Sequence, residues 1–275
     1  MIDLHVHTSA SDGTCSPEEV IAQAVEQGMT AIAITDHDTV MGFPAAYRAA
    51  QAQGLEVIPG IEISTKFGRA VHILGYYIDT ESAALQPVLD WIVEDRDRRN
   101  RIMAERMAAD GLPISIEMMH ERFGAVVGRP HFASVLVELG LAESIQDAFD
   151  RYVEKGQKYY QGRTIFPIER SVEIIAQAGG VPVLAHPFQD RMDDAQLREL
   201  IEHCMEYGLR GMECRYTGYS EEMTAYLERL ASEYGLIRTG GSDFHGSNKP
   251  HIALGSGMGN LTVPYDFLEK LKEIR

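Results

Sequence analysis

Residues 2–13 read Ile2-Asp3-Leu4-His5-Val6-His7-Thr8-Ser9-Ala10-Ser11-Asp12-Gly13. Apolar Ile2, Leu4 and Val6 alternate with Asp3, His5 and His7. This period of two is that of a β-strand, and it puts His5 and His7 on one face, about 7 Å apart. Two imidazoles so placed on a rigid strand can grip one metal ion from one side. The chain then leaves the strand through small and polar residues and presents a carboxylate, Asp12, before Gly13. By itself a His-x-His pair also describes two surface histidines on an edge strand, so the rest of the chain has to decide.

Outward from this stretch, strands and helices alternate. Ser16, Pro17 and Glu19 form a capping box with proline in the first turn, and Gly28 closes the helix they start. Ala31 to Thr35 is a short apolar run, the pattern of a strand buried on both faces, and it ends in Thr35-Asp36-His37-Asp38. A helix is expected from about Thr39 to Gln53. A strand follows through Val57-Ile58 and resumes over Gly60–Ser64 with Glu62; another runs from Ala70 to Tyr77 with His72. The alternation breaks near residue 80. Residues 81–110 predict one long helix whose middle, Glu94 to Arg101, is almost entirely charged. Glu94/Arg98, Asp95/Arg99 and Asp97/Arg101 are acid-then-base pairs four apart, which predicts a solvated, ion-paired face. The alternative is that Arg99 or Arg101 leans over a site and meets an anion. Further helical segments reach about residue 155, and Arg129-Pro130-His131 opens one of them. Alternation returns with a helix carrying Ile168, Val172 and Ile175. Three more strands follow: Val181–Ala185, ending in His186-Pro187; Leu209–Cys214; and Leu236–Gly240, ending in Gly241-Ser242-Asp243-Phe244-His245.

Repeated strand-helix units predict an α/β fold, with a parallel sheet and helices outside. His7, His37, Glu62, His186, Asp243 and His245 fall at or just beyond the C-terminal ends of different strands. In an open sheet those ends spread along a line, whereas in a barrel they converge on one rim. A (β/α) barrel of seven strands is therefore expected from residues 1–79 and 166–275, with 80–165 as a mostly helical insertion.

Composition narrows the functional classes. The chain has 275 residues, 45% of them hydrophobic, and a formal net charge of −16. An acidic surface repels phosphate backbones and argues against duplex nucleic acid as a partner, while a small anion can still bind where local cations reverse the field. The three cysteines, Cys15, Cys204 and Cys214, have no metal-binding spacing and suggest a reducing compartment. The first strand begins at once, leaving no room for a signal peptide, and no apolar run approaches a membrane span. A cytoplasmic location without membrane contact is expected.

Ten histidines are present. His5, His7, His37, His72, His186 and His245 lie in strands or immediately after them, and Asp12, Glu62 and Asp243 occupy comparable positions. Buried carboxylates are costly without cations, and basic residues near these positions are few in the sequence. Metal ions answer both needs. Imidazole and carboxylate ligands without thiolates suit Zn, Mn or Fe. The number of ligands exceeds one ion's capacity, so two to three divalent transition metal ions are expected. Two ions joined by a carboxylate can hold a bridging hydroxide and clamp a phosphoryl group. His120, His203 and His251 have polar surroundings and read as surface residues.

The sequence resembles the polymerase and histidinol phosphatase (PHP) superfamily. The resemblance rests on Asp3-Leu4-His5-Val6-His7, Ser11-Asp12-Gly13, Thr35-Asp36-His37-Asp38, Pro59-Gly60-Ile61-Glu62, His72, Arg129-Pro130-His131, Ala185-His186-Pro187 and Ser242-Asp243-Phe244-His245. The Ser-Asp-Gly segment and the Arg-x-His inside a helical insertion resemble one subgroup, the 3',5'-nucleotide bisphosphate phosphatases and the related RNase AM enzymes that trim RNA from its 5' end. The resemblance implies a distorted seven-stranded barrel with a trinuclear metal centre. It implies His5, His7, Glu62 and Asp243 around a first metal, Glu62, His72 and His131 around a second, and Asp12, His37 and His245 around a third. Arg129 would bind the substrate phosphate, and His186 would bind phosphate or protonate the leaving oxygen. The expected activity is a metal-dependent phosphoesterase that removes a terminal phosphate from small nucleotides, such as a 3',5'-bisphosphate. The alternatives are a 5'-3' exoribonuclease on short RNA, a histidinol-phosphate phosphatase and a non-catalytic metal or nucleotide sensor.

Overall fold

The computed structural model describes residues 1–275 apart from 52, 125 and 191. Its strands are β1 (Ile2–Val6), β2 (Ala31–Ile34), β3 (Glu56–Phe67), β4 (Arg69–Tyr76), β5 (Phe166–Pro167), β6 (Val181–Leu184), β7 (Gly211–Tyr216) and β8 (Ile237–Gly241). Seven of them follow one another in the order β1-β2-β3-β4-β6-β7-β8, and the two-residue β5, which the hydrophobic pattern does not reveal, pairs beside β3. The ends of this path meet. The Asp243 amide donates to the His5 carbonyl at 2.8 Å and the His7 amide to the Phe244 carbonyl at 3.0 Å. The buried Asp3 carboxylate ties the seam by accepting from the Ser242 amide (2.9 Å), the Ser242 hydroxyl (2.6 Å) and the Gly255 amide (2.8 Å). A Cβ on Gly241 would overlap the backbone nitrogen and Cβ of His5, so only glycine lets β8 come this close to β1. The result is a nearly closed seven-stranded α/β barrel with a helical insertion.

The sheet is not wholly parallel. β4 runs antiparallel to both β3 and β6. Only Gly68, at φ 66°, separates β3 from β4, and a parallel connection needs a crossover of a dozen residues or more. The two strand pieces expected around Pro59 are one twelve-residue strand. Ile2, Leu4, Ala31, Ala33, Leu74 and Tyr76 pack in one core with Phe267, Leu268 and Leu271 of a C-terminal helix, Tyr265–Glu273. Val6, Ile32 and Ile34 pack with Val20, Ile21 and Ala24 of α1 (Pro17–Glu26), which the expected Ser16/Glu19 capping box starts. The next helix, α2, is shorter than expected, Gly42–Ala50, and residue 52 lies outside the described residues. Its first residue, Gly42, lies against the Asp36 carboxylate, where a side chain would not fit.

Between β4 and β5 the chain is helical: α3 (Gln86–Ala109), α4 (Ile116–Phe123), α5 (Arg129–Glu138), α6 (Ile145–Ala148) and a π-turn over Phe149–Val153. One end of α3 places Leu89 and Ile92 in a core with Ile61 and Ile63 of β3; the other places Met103 and Met107 in a separate core with Met119, Phe132 and Leu136. Thus α3 belongs to barrel and insertion alike, which fixes the insertion over the barrel. Among the described residues no helix is long and apolar enough to cross a membrane.

Candidate metal centre

β1 brings His5 and His7 to one face as its alternation requires, with their Nε2 atoms 3.1 Å apart. The loop that follows is shaped by Asp36. Its buried carboxylate accepts from the Thr8 amide (2.7 Å), the Thr8 hydroxyl (2.8 Å) and the Ser11 hydroxyl (2.7 Å). This brings Asp12 to 3.2 Å from Nε2 of His245 and 3.8 Å from Nδ1 of His7. Beyond β2, the Glu62 amide donates to the Asp36 carbonyl and the Asp38 amide to the Glu62 carbonyl, which docks His37 beside Glu62. Asp38, His186 and Asp243 hold φ of 55°, 24° and 57°, so three residues at or beside the site sit in the sparsely populated left-handed region.

Glu62 is the hub. Its Oε1 lies 2.8 Å from Nδ1 of His72 and 2.8 Å from Nε2 of His186. Its Oε2 lies 2.9 Å from His37, 3.2 Å from His7 and 3.4 Å from His5. Burial would raise its pKa; the imidazoles of His37, His72 and His5 instead hold the carboxyl well below its usual range. Asp243 approaches Nε2 of His7 and Nδ1 of His245 at 3.3 Å, while its other oxygen takes the Tyr216 hydroxyl (2.6 Å) and Lys249 (2.5 Å).

Ligand atoms within 4.8 Å of one another form four groups among the described residues: His7, Asp12, His37 and His245; His5, Glu62 and His186; His5, His7 and Asp243; and His37, Glu62 and His72. The residues fit metal ions on a further observation. His7 Nδ1, Asp12 Oδ1, His37 Nδ1, Glu62 Oε2 and His186 Nδ1 are buried without a hydrogen-bond partner, although several face one another at ion-pair distance. Buried ring nitrogens and carboxylate oxygens that converge without hydrogen-bond partners suit cations, and imidazoles and carboxylates are donors suited to Mn, Fe or Zn. The buried clusters are consistent with several ions.

The grouping departs from the expected partition: His7 also joins the Asp12, His37 and His245 group, His37 also joins Glu62 and His72, and two further residues differ more. His131 is not brought to Glu62 and His72. It sits in the first turn of α5, its Nδ1 accepts the Gly128 amide at 2.8 Å, and its ring stacks on Phe123. Burial lowers its pKa to about 4, with Asp12 as its nearest acidic influence. His186, expected to face substrate, stands with His5 and Glu62 through Nε2, and its Nδ1 has no hydrogen-bond partner. Sequence reasoning missed Glu213. This fully buried carboxylate lies 3.0 Å from His5 Nδ1 and accepts the His186 amide at 2.8 Å, so it orients both histidines. Its signal was an acid between apolar Met212 and Cys214 in a strand.

Arg129, the expected phosphate ligand, lines a cavity of about 290 Å³ that also touches Asp12, His37 and His72. It has company there: Arg96, Arg99 and Arg163 line the same cavity. The charged run on α3 is therefore only half solvated. Arg98 and Arg101 are exposed and pair with Asp95 (2.9 Å) and Asp97 (2.8 Å), whereas Asp95, Arg96, Arg99 and Asn100 are buried. Arg96 and Arg163 are both held by Asp38, Arg96 through Nε at 2.9 Å and Arg163 at 3.4 Å. Burial would raise the Asp38 pKa, but the Arg96 and Arg163 guanidiniums push it well below the carboxylate range. Removing one partner of such a buried pair strands the cations. Asp38→Asn is expected to cost about 3 kcal/mol in chemical denaturation. Because the folded pKa is depressed, this stabilisation is complete at neutral pH and fades as pH falls below about 4. A cost near zero at pH 7 would remove Asp38 as the anchor.

Comparison with known proteins agrees with this geometry. The PHP domain model matches residues 3–207. A 5'-3' exoribonuclease Rnm of Salmonella typhimurium is 37% identical over 257 residues, covering 92% of this chain and 87% of that protein. A 3',5'-nucleoside bisphosphate phosphatase of Chromobacterium violaceum is 33% identical over 247 residues, covering 89% and 87%. A solved structure from Bifidobacterium adolescentis superimposes with a TM-score of 0.87 at 31% identity, covering 98% of this chain and 94% of that one.

Proposed function

We propose that this chain, which belongs to the PHP domain family and is a metal-dependent phosphoesterase, is a 5'-3' exoribonuclease on short RNA carrying a 5'-phosphate. The same centre would remove the 3'-phosphate of a nucleoside 3',5'-bisphosphate. The two reactions break the same bond. In both, a 5'-phosphorylated nucleotide loses what is attached through its 3'-oxygen, a phosphomonoester in one case and the diester to the next nucleotide in the other.

One observation carries this reading: the cavity with Arg96, Arg99, Arg129 and Arg163 opens beside Asp12, His37 and His72. Guanidiniums bind phosphate oxygens in bidentate fashion, and four around one cavity match a phosphomonoester of nearly two charges. The metal-type cluster would take a second phosphoryl group. A substrate with two phosphorus centres one ribose apart fits both, whereas histidinol phosphate has only one. The net charge of −16 favoured a small nucleotide over RNA in the sequence. The arginines reverse that field locally, and relatives that include an exoribonuclease support the RNA substrate.

In this reading Arg96, Arg99, Arg129 and Arg163 hold the 5'-phosphate and set the distance to the scissile phosphoryl group. His5, His7, Asp12, His37, Glu62, His72, Asp243 and His245 hold the cations, with Glu213 and Asp36 fixing ligand orientation. Bound divalent ions would polarise the phosphoryl oxygens and lower the pKa of an attacking water. His186 presents Nδ1 as the free atom to meet the phosphoryl group or the leaving oxygen.

The test is a comparison, with Mn added, of 5'-phosphorylated and 5'-hydroxyl pentaribonucleotides, a nucleoside 3',5'-bisphosphate and histidinol phosphate. The 5'-phosphorylated substrates are expected to be turned over best. Arg129 is one-third exposed and shares its charge with Glu154 at 3.6 Å, so Arg129→Lys is expected to lower kcat/KM for them by about tenfold. Equal rates with and without the 5'-phosphate would overturn the assignment of the arginine cavity.

A further inference from the structure

A second cleft meets the metal-type cluster. The arginine cavity lies by β3, β4 and α3; this cleft, of about 990 Å³, lies by the segments that follow β7 and β8. Asp12 and His37 line both, so the two open onto the same ligands. Their chemistry differs. The cavity gathers four arginines, while the cleft offers one lysine, Lys249, which Asp243 already pairs, one acid of the insertion, Glu154, neutral side chains such as Gln146 and Asn248 and apolar ones such as Val137 and Met258.

We infer that this cleft is the path of the RNA strand downstream of the scissile bond, an inference that rests on the phosphoesterase reading above. Three arguments converge. In an in-line displacement at phosphorus the attacking and leaving groups lie on opposite sides, and the remaining diester arm needs room of its own beside the metal ligands. A bisphosphate lacks that arm, and a cavity of about 290 Å³ beside the cluster would suffice for its nucleotide end. The larger cleft exceeds that need. Its lining also fits an internal strand: a diester carries only one charge per nucleotide and needs no arginine cluster, and ring and methionine surfaces accept bases without reading their identity. In the step itself, water oxygen bonds to phosphorus and the P–O3' bond breaks. The 3'-oxygen takes up a proton, giving a nucleoside 5'-phosphate and a shortened strand with a new 5'-phosphate.

Met258 and His251 line the cleft away from the ligand groups and are exposed, so changing them spares the core. With Mn-loaded full-length protein, kcat/KM is measured for a 5'-phosphorylated pentaribonucleotide and for adenosine 3',5'-bisphosphate, and their ratio is the readout. Met258→Glu combined with His251→Glu is expected to lower the ratio about tenfold at low salt by repelling the strand, and less at high salt. His251→Lys is expected to raise it. A ratio that neither variant moves overturns the cleft assignment while leaving the phosphoesterase reading intact. So does a wild-type protein that hydrolyses the bisphosphate but not the pentanucleotide. Turnover of neither probe overturns the phosphoesterase reading itself, and the cleft assignment falls with it.

Discussion

Glu62→Ala is expected to lose turnover by about a thousandfold or more while the barrel stays folded, since stabilising charge on a phosphoryl group with a cation is worth several kcal/mol and ~4 kcal/mol is about a thousandfold. The two Glu62 oxygens lie within 3.4 Å of ring nitrogens from His5, His7, His37, His72 and His186. Two of the four ligand groups contain Glu62, and the other two each share a histidine, His37 or His5, with one of them. Deleting this carboxylate would remove negative charge from the residues that would hold the cations. Metal content should therefore fall together with rate. Asp243→Ala should behave similarly, with the added effect of freeing Lys249 and the Tyr216 hydroxyl. Elemental analysis after Mn addition, kcat/KM on the best substrate and far-ultraviolet circular dichroism separate the outcomes. The apolar cores involve other residues, so the folded signal should persist. At least two metals per wild-type chain are expected, and fewer than one would count against the centre. Near wild-type rates in both variants would show that these carboxylates build the core rather than the site.

How far the sequence anticipates this site depends on how locally each residue is encoded. His5 and His7 share a face because a strand has period two, His37 and His186 fall just after short apolar runs that are strands, and Asp243 and His245 fall just after β8. Each is readable within a few residues, and a barrel brings such positions together whatever the details of packing. The antiparallel β4 was also encoded locally, in Gly68 between two strand patterns, but repeated strand-helix units elsewhere outweighed it. The arginine cavity was not local at all. Arg96 and Arg99 come from α3, Arg129 from the start of α5, and Arg163 from the segment before β5. Only the docking of the insertion on the barrel, held by Asp38, assembles them. On a helical wheel the charged run suggested pairs four apart, and the pattern does not say which flank of the helix faces a wall. Glu213 was hidden for the opposite reason: it stands inside a strand whose neighbours are apolar, and its partners His5 and His186 are far away in the chain.

Arg99→Met is expected to make the unliganded protein more stable and the enzyme worse. Arg99 is 6% exposed and its Nε has no hydrogen-bond partner. Burial, followed by repulsion from Arg96, Arg163 and Arg129, drives its pKa well below the ordinary arginine value. A cation kept in such a place is costly unless something anionic visits, and the cavity it lines leads to the metal-type cluster. Methionine keeps much of the stem's volume without the charge. Replacing buried charges by apolar groups of similar size is commonly neutral or stabilising, and here a gain of about 1–2 kcal/mol is expected in denaturant titrations. The same change removes a charge-assisted contact to the 5'-phosphate. Since such a contact is worth ~3 kcal/mol, kcat/KM for a 5'-phosphorylated substrate should fall roughly a hundredfold. A third reading joins the two: inorganic phosphate should raise the melting temperature of the wild type by binding the folded state, and raise that of the variant much less. A purely structural arginine gives the opposite pattern. Its removal would lower stability, leave the phosphate-induced shift intact and spare the rate, and that outcome would place the 5'-phosphate on the other arginines of the cavity.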